Sequence, residues 1–123
     1  MSYKLDFDQK DNILWVTASG TRSLKTVLAI STDVMQACRD WNLDKVLVDI
    51  RSLEGRLSTS SSFAIPTQHF PKIRDQKVLS QLAIIDLANL KLSNRFFENL
   101  AVRRGLNLRF FSDPAAAVAW LNR

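Results

Sequence analysis

The chain has 123 residues, 46% of them hydrophobic and 24% charged, with a net charge of +5 at pH 7 and one cysteine. That length suits a single domain spanning residues 1–123, which closes one core without staples. A lone Cys38 excludes an intrachain disulfide, and no apolar run approaches the ~18 residues of a membrane-spanning helix.

Tyr3, Leu5 and Phe7 alternate with polar residues, which predicts a first strand. Gln9–Asn12 (QKDN) is a turn by composition, and ILWVTAS from Ile13 to Ser19 is rich in β-branched and aromatic residues. The short connection makes these two strands an antiparallel hairpin that ends at Gly20. A long helix follows over residues 23–42, capped by Thr21 or Ser23. Leu24, Val27, Leu28, Val34, Met35, Cys38 and Trp41 fall near one face. Cys38 on that stripe reads as a small core residue rather than a nucleophile, because no histidine lies near it.

KVLVDI, Lys45 to Ile50, is a short apolar run of the kind buried on both faces of a sheet. Residues 58–74 read as helical, interrupted or kinked by Pro66 and Pro71. QLAIID, Gln81 to Asp86, is another buried strand. A helix over Ser93–Gly105 then turns Phe96, Phe97, Leu100 and Ala101 inward and stops at Gly105. LNLRFF, Leu106 to Phe111, is the last strand. Asp113 and Pro114 mark the start of a final helix docked by Val118, Trp120 and Leu121. The order β-β-α-β-α-β-α-β-α predicts an α/β fold. Its mixed five-stranded sheet begins with an antiparallel hairpin, continues in parallel β-α units and carries four helices.

Charge is uneven along the chain. Residues 1–50 hold six basic and seven acidic side chains, residues 51–123 eleven and five. A basic half attracts nucleic acid or an acidic partner. Here, however, the cations are spread among apolar residues as on solvated helix faces. No zinc-finger spacing or arginine-rich block is present, so nucleic acid is not the expected partner.

The block FFENLAVRRGLNLRFFSDPAAAVAWL, Phe96 to Leu121, resembles the ending of the bacterial SpoIIAA-like, or STAS-type, small proteins. In these a helix ending in Gly leads into a strand ending in Phe, and a D-P/E-x-x-A-x-x-W-L helix closes the domain. VLVDIRSLEGRLS, Val46 to Ser58, is similar to that family's strand and glycine-containing loop. With the N-I-L-W-V-T-x-S-G hairpin, the resemblance covers nearly the whole chain. It implies a mixed sheet built by successive β-α turns, shared with STAS and CRAL-TRIO lipid-binding domains. Anti-sigma-factor antagonists of this fold bind a kinase and are phosphorylated on a serine in a D-S-S-G-L-G motif at the start of the helix after the central strand. Ser58 falls near that place, but Leu57 stands where the Asp precedes the serine and no Gly follows. The motif is absent.

Several residues carry candidate chemistry. Asp49 and Asp86 end buried strands, where open parallel sheets bind ligands. Two carboxylates there suit acid–base work or a metal, although acceptance from backbone N–H groups at the strand-to-loop turns is the simpler reading. His69, the single histidine, lies between two prolines in a segment that reads as surface. The hydroxyl run Ser58–Ser62 lies at a helix start near Arg51 and Arg56, a setting that favours an anion. Phe63, Ile65, Phe70 and Ile73 form an irregular apolar segment, but so short a chain leaves little volume for a lipid-sized cavity.

The expected function is a non-enzymatic regulatory or protein-interaction module without cofactor or metal. It presents Arg51, Arg56, Ser58, Thr59, Ser60 and Phe63, with Asp86, to a protein partner. The alternative is a small-ligand protein that binds an anion or a lipid-like acid at the same helix start. MSYKLDFDQKDN lacks the apolar stretch of a secretory signal, so a cytoplasmic location is expected. Uncovered sheet edges make homo-oligomers an expectation as well.

Overall fold

A computed structural model describes residues 3–123, apart from the side chain of Phe63. The hairpin forms as expected from its sequence, with a tighter turn. Strand β1 (Tyr3–Lys10) pairs antiparallel with β2 (Ile13–Thr21), and only Asp11 and Asn12 lie between them. Both take left-handed backbone, at φ 56° and 62°, as a two-residue hairpin turn requires. Strands β3 (Lys45–Glu54), β4 (Gln81–Ile85) and β5 (Leu108–Phe111) follow in parallel, so the sheet order is β1-β2-β3-β4-β5.

Successive parallel strands that advance in one direction with right-handed crossovers must place their helices on one face. Helix α1 (Leu24–Trp41) is capped by Ser23, whose Oγ accepts the Thr26 N–H. The next helical segment is bent. It consists of α2 (Thr59–Ala64), a π-helical turn at Ile65–His69 and α3 (Phe70–Asp75). Pro66 and Pro71 have no N–H to donate, and the wider turn closes instead through the Phe70 N–H on the Ile65 carbonyl. A short 3-10 turn leads into α4 (Lys91–Arg103). Helix α5 (Pro114–Leu121) begins at Asp113, whose carboxylate accepts the Ala115 N–H. Counting the bent segment once, four helices accompany the sheet.

Alternation along the strands splits the core in two. Leu14, Val16, Val46, Val48 and Leu82 face α1 to α4, while Ile13, Leu47, Ala83 and Ile85 face α5. Helix α5 seals its face with Ala117, Trp120 and Leu121, all buried. Burying a Leu or Ile side chain fully contributes roughly 1.5–3 kcal/mol before entropy is counted, so this short helix is held by packing more than by propensity.

Two apolar residues do not go where helical periodicity puts them. Phe96 is 52% exposed, because Asn94 and Ala101 occupy the buried face of α4. Trp41, at the end of α1, is 42% exposed and lies edge-on to Phe7 of β1, with ring centroids 6.4 Å apart.

Gly105 ends α4 as the sequence suggests, at φ +79°, and the Leu106 N–H returns to the Ala101 carbonyl at 2.9 Å. A Cβ there would stand 3.1 Å from Cδ of Arg74 and would enter left-handed backbone. The Gly105→Ala variant is expected to lose about 1–2 kcal/mol of stability, read as a lower urea midpoint with an unchanged slope.

Candidate functional site

The carboxyl-terminal ends of the parallel strands meet at Asp86, the residue after β4. Its side chain is 2% exposed and accepts four hydrogen bonds. Arg22 supplies two, from Nη1 at 3.3 Å and Nη2 at 3.1 Å. The Leu87 N–H adds one at 2.8 Å and Asn94 Nδ2 another at 2.9 Å. The turn reading of Asp86 therefore holds, and a buried ion pair is added to it. Arg22 lies just before the cap of α1 and is 10% exposed. Its Nη2 also reaches the carbonyls of Ile50, at 3.3 Å, and Leu53, at 3.5 Å. These carbonyls are offered because β3 gains a residue against β2 after Asp49, where the register shifts. The Nε of Arg22 is buried and has no acceptor among the described residues.

Beside this cluster the helices part over the middle of the sheet. They leave a cavity of about 160 Å³ between α1, the bent helical segment and α4, floored by Val48, Ile84 and Phe110. Ile84 belongs to an internal strand yet is only half-buried, which shows that the helical layer does not close over it. The wall includes Arg22, Asp86 and Asn94, and His69 from the π-helical turn. His69 is thus half-buried on a cavity wall rather than freely exposed. Burial, then the Lys72 charge, lowers its pKa and keeps the ring neutral at pH 7.

The residues singled out from sequence lie mainly outside this cavity. Arg51 is exposed and clamps Asp49 with Nε at 3.0 Å and Nη2 at 2.7 Å, while its own N–H also reaches that carboxylate. Burial pulls the Asp49 carboxyl up, but the Arg51 hydrogen bonds and charge outweigh it and hold Asp49 below the usual carboxylate range. Arg56, Ser58, Thr59 and Ser60 are exposed, and Arg56 forms no ion pair among the described residues. Ser58 caps α2 by accepting the Ser61 N–H at 3.1 Å and donates to the Ser61 hydroxyl at 2.8 Å. Its Oγ also lies 3.2 Å from that of Ser60, so much of the hydroxyl run is spent on itself. The side chain of Phe63 lies outside the described residues. Asp86, buried under Arg22, does not join the exposed set.

Arg22 and Asn94 escaped notice in the sequence. The available signal was Asp86 itself, since a carboxylate ending a buried strand needs a cation, but nothing local selects Arg22 from 17 basic residues. Cys38 is buried, and that burial, aided by the Asp44 charge, pushes its thiol up to about 11.

Two outcomes follow from these placements. Asp86→Ala strands a buried guanidinium and should cost about 3–5 kcal/mol. The double variant Arg22→Met/Asp86→Leu should cost clearly less than the sum of Arg22→Met and Asp86→Leu, measured by urea denaturation; strict additivity would show that the pair does not act as a unit. At pH 8, where the Cys38 thiol stays protonated, the folded protein should react with an aromatic disulfide reagent far more slowly than the protein in guanidinium.

No family model and no curated protein matches this sequence. Solved structures do. An anti-sigma factor antagonist from Mycobacterium paratuberculosis superposes with a TM-score of 0.61 at 13% identity, covering 99% of this chain and 96% of that one. An uncharacterized protein of the DUF3478 family from Shewanella loihica PV-4, described as having a SpoIIAA-like fold, superposes with a TM-score of 0.59 at 18% identity over 98% and 94% of the two chains. Sheet order, strand directions and helix placement agree with the resemblance carried by the hairpin and the closing helix, and the chain has the SpoIIAA-like fold.

Proposed function

We propose that the protein is a non-enzymatic regulatory module that binds a protein partner at the end of the sheet where β3 and β4 finish. Exposure is the observation that carries this reading. Leu87 is 41% exposed, Leu92 83% and Phe96 52%, and Leu92 and Phe96 stand one turn apart on α4. Because β3 and β4 are parallel, the segment Arg51–Ser60, which finishes β3 and runs on past it, lies at the same end of the sheet as Leu87. Apolar side chains with a polar surround are the usual makeup of a contact surface. The similarity to an anti-sigma factor antagonist supports a partner that is itself a protein.

In this reading Leu92 and Phe96 supply the buried contact. Arg51, Arg56, Ser58, Thr59 and Ser60 form the polar flank that sets specificity. Asp86 acts from beneath, by fixing the end of β4. The absence of Asp before Ser58 and of Gly after it leaves the serine as a helix cap, with recognition resting on shape and on the free Arg56 charge.

A quantitative pull-down of crosslinked complexes tests the surface with the wild type, Arg56→Ala, Ser58→Asp and Leu92→Asp/Phe96→Asp. All these positions are solvent-exposed, so the variants should melt within a few degrees of the wild type. A partner held by the wild type should be weakened by Arg56→Ala or Ser58→Asp and lost from the α4 variant. A partner retained equally by every variant would remove this surface from consideration.

A further inference from the structure

The two edges of the sheet are finished differently. At β5, four residues long, the Phe110 N–H donates to the Glu98 carboxylate at 3.0 Å and the Leu108 N–H to the Leu106 carbonyl at 2.9 Å. An edge whose donors are spent on its own chain is closed to a further strand. At the other edge β1 runs for eight residues, without proline and in unbroken register with β2. Lys10 and Ile13 flank a two-residue turn, so they exchange their backbone hydrogen bonds, and alternation ties Lys4, Asp6 and Asp8 to β2 in the same way. The backbone N–H and C=O groups of Tyr3, Leu5, Phe7 and Gln9 therefore point away from the sheet. Gln9 spends its N–H on the Asp8 carboxylate at 2.8 Å. Tyr3, Leu5 and Phe7 are left with an edge that another strand can pair.

Edge groups are hydrated in solution and select no partner by themselves; the side chains beside them do. Tyr3 and Phe7 lie on the α1 face, where the Tyr3 hydroxyl donates to Asp33 at 2.8 Å and Phe7 meets Trp41. Lys4 and Asp6 lie on the opposite face. Both are exposed, stand beside Ser19 and Thr17 of β2, and form no ion pair among the described residues. An antiparallel second copy centred on Leu5 sets Leu5 against Leu5, Tyr3 against Phe7, and Lys4 against Asp6 on both sides of the two-fold axis. Other centres do worse. Lys4, Asp6 or Asp8 at the axis meets its own like charge. Phe7 there sets Lys4 against Lys10 and Asp6 against Asp8, and Gln9 there needs an N–H already donated. We propose that two copies of this chain join through their β1 edges, antiparallel about Leu5, to make one continuous sheet.

The axis of such a pair stands perpendicular to the sheet, so both α1 helices lie on one face and the strands of the two copies run in opposite directions. The ends where β3 and β4 finish then fall at opposite ends of the dimer, and each copy keeps its own exposed Leu92 and Phe96. Self-association through β1 is thus independent of partner docking at α4.

Sedimentation velocity of the full chain over a concentration series tests this with charge reversals. The wild type should pass from monomer to dimer as concentration rises. Lys4→Asp sets two carboxylates against each other at both Lys4–Asp6 pairs, and Asp6→Lys sets two ammonium groups there. Each single variant should melt within a few degrees of the wild type, since both positions are exposed, and should dimerise at least about tenfold more weakly. Opposite charges face each other again in an equimolar mixture of the two single variants and in the double variant Lys4→Asp/Asp6→Lys. Both should recover dimers of nearly wild-type affinity. A wild type that stays monomeric up to its solubility limit, single reversals that leave the dimer unchanged, or reversals that neither the mixture nor the double variant rescues would each overturn the proposal.

Discussion

A carboxylate at the depth of Asp86 cannot stand alone, and the ion pair with Arg22 that answers it organises one end of the molecule. Arg22 sits between the last residue of β2 and the cap of α1, so its position fixes where that helix starts. Through Nη2 it holds the tail of β3, and through Asp86 it holds the end of β4. Asn94 brings in the first turns of α4. Three parallel strands and two helix starts therefore converge on one charge pair. A defect there would be felt in the crossovers as a group rather than in one loop.

The second constraint is chirality. Right-handed crossovers send α1, the bent segment and α4 to one face, where they must cover four parallel strands, while α5 has the other face to itself. The small face closes well, with Leu121 fully buried. The large face does not. Pro66 and Pro71 prevent the middle segment from running as a straight α-helix, and the π-helical turn swings Ile65, His69 and Phe70 into the wall of the space above Ile84. The cavity thus follows from proline chemistry and strand order together. The Arg22–Asp86 pair lines it because Asp86 directly follows β4, the strand that carries Ile84.

Local chemistry was legible wherever one residue type does one job. Ser23 and Asp113 cap helices, Pro114 opens one, Gly105 closes another, and strand alternation names the residues of both core faces. Phe96 and Trp41 were misplaced because hydrophobicity marks an arc of a helix without saying which edge meets a neighbour. Asn94 reads as a surface residue until the donor needs of Asp86 are known. His69 reads as surface because it lies between two prolines, and the π-helical turn places it on a wall.

The order of elements, their caps, the hairpin and the mixed sheet are therefore properties of the chain as a string, since each depends on contacts a few residues apart or on a repeating pattern. The Arg22–Asp86 pair spans 64 positions, and the bulge that exposes the Ile50 carbonyl depends on how β3 lies against β2. The cavity is the space left when three helices share a floor too wide for them. These features belong to the tertiary structure because they arise from distances between segments, and no local pattern of residues encodes which distant cation will meet a buried carboxylate or where packed helices will fail to touch.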